Sequence, residues 1–277
     1  MKKQNIISKS VLTFVFVCFG IIFIAPLLWM VSSSLKRMQD VFSTTIQWIP
    51  RPVVWGNYAE VWTNAEVPFL KLLGNSFKIA LISIAGQLFV SATAAYAFAK
   101  IKYPGKNLFF AAYLATMMIP FQVTIIPRFV LFNEIGLYNT HWAVILPHMF
   151  TASSIFLLKQ YYEGMPNELV ESAWIDGARH FKIWWLIMLP LTSQAMASLV
   201  ILNFISIWND YLNPLIFLNR KYLYTVSLGI QYYNTQEVPS VNLTMAASVL
   251  SILPILVLYL SCQKYFVQSI ASSGIKG

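Results

Sequence analysis

Acidic side chains, which can act as general acids, general bases or metal ligands, crowd into one part of the chain. Four of the ten acids lie within 14 residues of each other, at Glu163, Glu168, Glu171 and Asp176. A membrane-embedded enzyme needs acids, histidines or a nucleophile and base that face one cavity. Because the acids concentrate in a single polar loop, the sequence predicts no catalytic residues and no enzyme.

Metal, disulfide and nucleotide chemistry are equally unsupported. His141, His148 and His180 lie in separate segments, and Cys18 and Cys262 form no closely spaced pair. Neither pattern has the spacing of a zinc site or a disulfide framework. The nearest match to a phosphate-binding loop, at 105–107, lacks the upstream glycine and the hydroxyl. We therefore expect no cofactor on this chain, and any ATP must be bound by another subunit.

The acidic loop is expected to contain a short helix. Glu168 falls in its first turn, where the helix dipole favours an acid, and Gly177 suits the left-handed residue that ends a helix. The spacing of four between apolar residues predicts an apolar stripe on this helix. Its members are Leu169, Val170, Ala173 and Trp174. Since the stripe lies outside any predicted membrane span, we expect it to contact a protein partner.

A second polar set lies in an apolar segment further along. Asn203, Ser206, Asp210 and Asn213 are spaced by three, four and three, which predicts one shared helical face. Isolated polar groups are unfavourable in lipid, so this face should point away from it. It could line a substrate path or form hydrogen bonds with neighbouring helices, and the sequence leaves both open.

The composition is that of a membrane protein. Of 277 residues, 58% are hydrophobic and only 10% are charged, whereas about a quarter of residues are charged in an average soluble domain. The net charge of +9 does not indicate a nucleic-acid partner, because the basic residues stand singly at the ends of apolar runs.

Six segments are long and apolar enough to span a bilayer. They cover 11–32, 76–99, 108–131, 141–161, 184–207 and 244–263. The first could be a signal peptide but lacks a cleavage pattern, so we expect it to be retained. Lys100, Lys102 and Lys106 follow the second span, which predicts that this loop, the 162–183 loop and both termini are cytoplasmic.

Small residues form a seam on the second span. Ser91, Ala95 and Ala99 recur every four residues, a spacing that lets helix backbones approach closely in lipid. The seam could be the packing surface between helices that move, or it could serve static packing.

Aromatic residues in the long loop after the first span could anchor the membrane interface or contact a soluble partner. They are Trp48, Trp55, Tyr58 and Trp62.

The acidic loop resembles a known motif. Glu171-Ser172-Ala173, then Asp176-Gly177-Ala178 and later Leu189-Pro190, is similar to the EAA loop of permease subunits of ATP-binding-cassette (ABC) importers. The sequence departs from the usual motif at Ser172, where alanine is usual, and at Met188. The resemblance implies a cytoplasmic coupling helix that docks onto an ATP-hydrolysing subunit. The alternative is an ordinary amphipathic connector.

Further motifs along nearly the whole chain resemble the carbohydrate-importer branch of this family, the MalG-like permeases. They include Asn57-Tyr58, Asn75-Ser76, Met118-Ile119-Pro120, Trp208-Asn209-Asp210 and the terminal Gly274-Ile275-Lys276-Gly277. In this branch, the tail can reach the ATPase pair. The resemblance implies an all-α integral membrane protein with six transmembrane helices, built as a single 1–277 permease domain of the type I importer class, with the coupling loop at 162–183.

The resemblance also implies partners and a location. The partners are a second homologous permease, two copies of an ABC ATPase that uses ATP, an extracytoplasmic solute-binding protein, a sugar or oligosaccharide and membrane lipid. The location is the cell membrane of a prokaryote, crossed several times. A permease for another solute, such as glycerol phosphate or a polyol, is the alternative. A secondary transporter fits less well, because no inverted repeat is visible.

Overall fold

The computed structural model describes residues 6–45, 47–234 and 240–273, and this part of the chain is all-helical. The α-helices are α1 (Ile6–Ser34), α2 (Met38–Val41), α3 (Gly56–Thr63), α4 (Phe69–Lys100), α5 (Lys106–Ala115), α6 (Phe121–Glu134), α7 (Trp142–Met149), α8 (Ala152–Glu163), α9 (Glu168–Ile175), α10 (His180–Ile183), α11 (Leu189–Leu191), α12 (Ser193–Trp208), α13 (Leu212–Phe217), α14 (Val226–Tyr232) and α15 (Val241–Ser273). Short 3₁₀ turns cover Thr116–Met118 and Lys221–Leu223, and a π-helical turn covers Trp184–Met188.

Four helical segments are long and apolar enough to cross a membrane by themselves. They are Lys9–Ser34, Phe69–Lys100, Trp142–Glu163 and Val241–Ser261. Two further pairs, Lys106–Met118 with Phe121–Glu134 and His180–Leu191 with Ser193–Trp208, qualify only together. The described part of the chain therefore has six candidate spans if each bent pair is one span, and these coincide with the six predicted segments.

The third span is broken at a proline. Its two halves meet at an angle of 98° across Ile119 and Pro120. Ile119 is extended, with φ −80° and ψ 113°, because the ring of a following proline disfavours the helical conformation. Pro127 and Pro147, which also lie in predicted spans, sit inside α6 and α7. Of the three prolines, Pro120 alone lies at a helix boundary.

The fifth span is broken at Thr192, where its two helical segments meet at 73°. Pro190 has no N–H to donate to the preceding turn, and the π-helical turn Trp184–Met188 comes just before it. Thr192 is fully buried, and its hydroxyl donates to the carbonyl of Leu189 at 2.7 Å. The carbonyl of Leu189 also accepts the backbone N–H of Thr192 at 3.1 Å, so two groups of Thr192 bond to the last turn before the break.

The chain divides into two compact units. One consists of Met1–Leu70 with Gly229–Leu253, and the other of Lys71–Leu228 with Pro254–Gly277. The single 1–277 domain remains a prediction. The tail motif 274–277 lies outside the described residues.

In the first unit, the side chain of Asn57 in α3 forms hydrogen bonds with the end of α1, with the residues that follow it and with α15. Its amide donates to the carbonyls of Ser34 and Lys36, both at 2.8 Å, and its Oδ1 accepts from Asn242 Nδ2 at 3.0 Å. The hydroxyls of Tyr58 and Ser34 share a further hydrogen bond of 2.7 Å. Asn57 therefore satisfies carbonyls at the end of α1 that have no helical partner.

Candidate functional site

The coupling-loop helix α9 begins at a backbone cap. The carbonyl of Asn167 accepts the N–H groups of Val170 and Glu171 at 2.9 and 3.0 Å. Glu168 and Glu171 both lie in the first turn, as predicted for Glu168. Carboxylates in this position interact favourably with the exposed N–H groups of the helix.

The other end of α9 is fixed by Gly177. This residue has φ +77°, so the predicted left-handed glycine is confirmed. Its N–H donates to Trp174 and the N–H of Ala178 donates to Ala173, both at 2.9 Å. These two bonds form a Schellman motif. The direction in which the chain leaves α9 is therefore set by the backbone of one residue.

One face of α9 is buried against the protein itself. Val170 and Ala173 are 7% and 6% exposed and belong to a buried cluster. Its other members come from α4, α8, α12 and residues 183–188: Ala92, Ala95, Tyr96, Ile155, Leu158, Tyr162, Ile183, Trp184, Met188, Ala195 and Leu199. The expectation that the whole stripe contacts a partner is wrong for Val170 and Ala173, because the adjoining spans cover them.

The opposite face of α9 is exposed. Trp174 and Ile175 are 53% and 87% exposed, and Leu169 is also exposed. The carboxylates of Glu171 and Asp176 lie on the exposed surface, as does Ser172. Ile175 was not predicted as part of this surface, because it lies outside the spacing of four that defined the stripe. We call Leu169, Glu171, Trp174 and Ile175 the outer face of α9.

Lys100 ties the second span to the start of the coupling helix. Its Nζ donates to the carbonyl of Met165 and to Oδ1 of Asn167, both at 2.7 Å. Lys100 is the last residue of α4, and Asn167 is the cap of α9. The sequence had pointed to Lys100 only as a marker of topology. Its contact joins residues 67 positions apart, which sequence spacing cannot reveal.

Ala178 and the residues after it form a groove beside α9. The groove has a volume of about 460 Å³ and is lined by Trp174, Ala178, Arg179, His180 and Phe181. The ring of His180 meets that of Trp174 edge-on at 5.1 Å and shares a 3.4 Å hydrogen bond with the hydroxyl of Tyr96. Leu189 and Pro190, the end of the motif, form α11 with Leu191.

The polar positions of the fifth span do not share one helical face. Helix α12 carries Asn203 and Ser206 but ends at Trp208, so Asp210 and Asn213 lie beyond its end. The prediction of a single continuous face is therefore wrong. The N–H of Asp210 bonds to Ile207 instead of continuing the helix, at 3.2 Å. Its Oδ1 accepts the backbone N–H of Asn213 at 3.2 Å.

The structure instead joins Asp210 and Asn213 to side chains from other spans. Asp210 Oδ2 accepts from Asn213 Nδ2 at 2.8 Å and from His148 Nε2 at 2.9 Å. Asn213 Oδ1 in turn accepts from Arg128 at 3.3 Å. We call Arg128, His148, Asp210 and Asn213 the three-span cluster. Arg128 and His148 were not predicted as members of this cluster, because only the fold brings them close to Asp210 and Asn213.

Arg128 also borders a groove of about 540 Å³ between the third and fourth spans, with Thr124, Pro127, Leu131, Leu146 and Phe150 among its lining residues.

Asn203 differs from the residues of the three-span cluster. Its Nδ2 is buried and has no hydrogen-bond partner among the described residues. Within this described part, no group of three histidines, cysteines or acids could hold a metal ion.

Comparison with known proteins gives consistent matches. Residues 87–272 match the family described as binding-protein-dependent transport system inner membrane component. The arabinooligosaccharides transport system permease protein AraQ of Halalkalibacterium halodurans is 31% identical over 278 residues, which is 100% of this chain and 99% of that protein. The sn-glycerol-3-phosphate transport system permease protein UgpE of Yersinia pestis is 34% identical over 88% of each chain.

One solved structure shares the fold. A chain of a bacterial ABC transporter involved in the import of the acidic polysaccharide alginate superposes with a TM-score of 0.85. The superposition covers 96% of this chain and 99% of that chain, at 22% sequence identity. At this identity, the match concerns the fold alone.

Proposed function

The chain belongs to the family of binding-protein-dependent transport system inner membrane components, and we propose that it imports a sugar or oligosaccharide. As a family member, it is a multi-pass permease subunit of an ABC importer, not an enzyme, and ATP is hydrolysed by a partner subunit. It is an inner membrane component that works with partner subunits and with a binding protein.

The sugar substrate is supported by the full-length similarity to a permease named for arabinooligosaccharides. The similarity to permeases named for sn-glycerol-3-phosphate supports the alternative of a phosphorylated polyol. The experiment compares uptake of labelled arabinooligosaccharides and of sn-glycerol 3-phosphate by cells with and without this chain. Loss of sugar uptake alone supports the proposal, whereas loss of glycerol phosphate uptake alone contradicts it.

We further propose that the 162–183 loop is the cytoplasmic coupling loop. The observation that carries this role is the two-sided helix α9, whose inner face packs in the cluster with the spans while Trp174 and Ile175 remain exposed. Movement of the outer face would be transmitted directly to the packed spans. The full assembly would contain a second homologous permease and two ATPase copies, with both termini of this chain in the cytoplasm.

The orientation has its own test. Single cysteines are placed at Pro104 and at Ile230 in a background without Cys18 and Cys262, and an impermeant thiol reagent is added to intact cells. Labelling at position 230 but not at 104 is expected. The reverse pattern would invert the topology and remove the loop from the ATPase side.

The translocation path is proposed to run past Asn203 and Ser206, with the three-span cluster at its border. The support is the unpartnered Nδ2 of Asn203, since a buried donor without a partner is unfavourable unless something polar reaches it. Breaks in the third and fifth spans also agree with a transport role, because broken membrane helices often line substrate cavities. Asp210 and Asn213 already have side-chain partners, so their role is to hold three spans together.

A further inference from the structure

A basic groove lies at the ends of the second and fourth spans that are opposite the coupling loop. It has a volume of about 510 Å³, and its lining includes Lys78, Ile82, His141, Trp142, Ile145 and Arg220. Lys78 lies in the first third of α4, and Trp142 is the first residue of α7. The other ends of these two spans are Lys100, which contacts Asn167 at the start of α9, and Glu163, which lies at the start of the coupling loop.

The lining carries positive charge without an acid. Lys78 and Arg220 are both exposed. Lys71 lies seven residues before Lys78 on α4, and both lysines act electrostatically on the ring of His141. Burial lowers the pKa of His141; the hydrogen bond to the Leu223 carbonyl opposes this, and the two lysines lower it further. The positive charge of the groove therefore comes from the lysines and the arginine.

Hydrogen bonds from side chains to its backbone fix the 219–224 segment, which carries Arg220. Asn139 adopts a left-handed conformation, with φ 59°, and its Oδ1 accepts the N–H groups of Asn219 and Arg220 at 3.0 and 3.1 Å. Asn75 Nδ2 donates to the carbonyls of Tyr222 and Tyr224, both at 2.9 Å.

Two further hydrogen bonds involve the same 219–224 segment. His141 Nε2 donates to the carbonyl of Leu223 at 3.0 Å. The guanidinium of Arg220 donates to the hydroxyl of Tyr222 at 2.9 Å and lies over its ring. The cation is thus positioned before any ligand arrives, which lowers the entropy lost on binding.

The apolar part of the lining indicates what kind of anion fits. Ile82, Ile145 and Trp142 share the groove with the cations, a mixture that suits an amphipathic ligand better than a small soluble ion. Trp142 and Tyr222 are 47% and 51% exposed, and such aromatic residues at span ends lie at the level of lipid headgroups. Basic residues near this level attract anionic lipids.

We propose that this groove binds the phosphate of an anionic phospholipid headgroup in the leaflet opposite the coupling loop. Arg220 and Lys78 contact the phosphate oxygens, and the side chains of Ile82, Ile145 and Trp142 contact the glycerol and the first acyl carbons. The lipid connects the second and fourth spans to the 219–224 segment. Import does not require the substrate to bind here.

The test uses the purified importer complex in phosphatidylcholine nanodiscs with or without phosphatidylglycerol. Native mass spectrometry counts the phosphatidylglycerol molecules retained by each complex. Lys78→Gln combined with Arg220→Gln should weaken retention roughly tenfold, since two charge-assisted contacts are lost. The charge-matched control combines Arg51→Gln with Lys221→Gln, neither of which lines the groove, and should retain lipid normally.

Equal retention by the groove variant and the control would overturn the proposal. A second arm measures binding of soluble sn-glycerol 3-phosphate to the complex in phosphatidylcholine alone. If this phosphate ester binds and the groove variant abolishes its binding, the groove serves a soluble phosphate and the lipid assignment is wrong. The subunit composition of each complex is read from the same spectra, so a variant that fails to assemble is recognised, and the single variant Arg220→Gln then replaces it.

Discussion

Lys100 Nζ, at the end of the second span, lies 2.7 Å from Oδ1 of Asn167, the residue that caps the coupling helix. The same ammonium group reaches the carbonyl of Met165. Together with the buried Val170 and Ala173 on the inner face, this contact makes α9 part of the packed spans rather than a free loop. Force applied to the outer face of α9 is therefore expected to reach the second span.

Lys100→Met should weaken this connection while keeping the apolar stem of the side chain. We expect lower sugar-stimulated ATP hydrolysis in proteoliposomes, with normal membrane insertion. Lys102→Met is the control. It removes the same charge two residues further along the chain, at a side chain that is exposed. Equal stimulation in the two variants would show that the Lys100 contacts carry no coupling.

Asp210→Asn should destabilise the three-span cluster. The substitution removes the negative charge that offsets Arg128 and weakens the hydrogen bond from His148. Because the pair is partly exposed, we expect a loss of about 1–3 kcal/mol rather than the larger loss of a fully buried pair. The loss of stability is measured by thermal unfolding of the purified complex.

Asn209→Ala is the neighbouring control for Asp210→Asn, because Asn209 is exposed and bonds only to the carbonyl of Ile205 among the contacts seen here. Arg128→Met in the Asp210→Asn background should recover part of the loss, since the uncompensated cation is then removed. An unchanged unfolding temperature in Asp210→Asn would contradict a structural role for the cluster.

Asn203→Ala and Ser206→Ala should change the rate or range of transported sugars while the complex still assembles. The reason is that Asn203 Nδ2 has no partner among the described residues and can donate to a passing hydroxyl. Ser198→Ala on the same helix is the control, because Ser198 bonds to the carbonyl of Gln194. Wild-type uptake of every tested sugar by both path variants would favour simple helix packing.

His141 should make stability fall at mildly acidic pH. Its folded-state pKa lies below the ordinary 6.5, chiefly because the ring is buried, so the unfolded chain binds the proton more tightly. Stability is therefore fully present above 6.5 and is lost as the pH falls towards and through the folded pKa. The thermal midpoints of wild type and His141→Gln are compared at about pH 7.5 and about pH 5.5.

Glutamine keeps a donor for the Leu223 carbonyl without taking up a proton in this range. The wild type should thus lose more stability than His141→Gln between the two pH values. Parallel losses in the two proteins would mean that protonation of His141 does not influence folding.

The spans could be predicted from the sequence because hydrophobic length is a local property. The predicted 76–99 lies inside Phe69–Lys100, and the predicted 244–263 overlaps Val241–Ser261. The left-handed Gly177 was predictable for the same reason, since helix ends depend on a few neighbouring residues. The break at Thr192 was not predicted, because the sequence shows neither the π-helical turn Trp184–Met188 nor the burial of the Thr192 hydroxyl.

The contacts of the candidate site were less predictable, because they join distant residues. The approach of His148 to Asp210 and of Lys100 to Asn167 depends on which spans pack together. The apolar stripe of α9 was recognised as a whole, but its division into buried and exposed residues depends on the packing of α4 and α8 beside it.

The outer face of α9 is the part expected to meet the ATPase. Glu171→Lys reverses a charge on this exposed face without touching the buried cluster. We expect the variant to insert normally and to lose co-purification of the ATPase. Glu134→Lys, which reverses an exposed charge at the end of α6, is the control. Wild-type co-purification with Glu171→Lys would exclude this carboxylate from the contact.

The most direct test of the coupling account is sugar-dependent ATP turnover by the reconstituted complex carrying Gly177→Ala, with Gly164→Ala as its control. Both glycines lie in the same loop, but Gly177 has φ +77° and Gly164 has φ −72°. A side chain at Gly177 meets no neighbouring atom, so its penalty of about 1 kcal/mol comes from the backbone alone. The account predicts reduced sugar stimulation with Gly177→Ala and normal stimulation with Gly164→Ala, and full stimulation in both would contradict it.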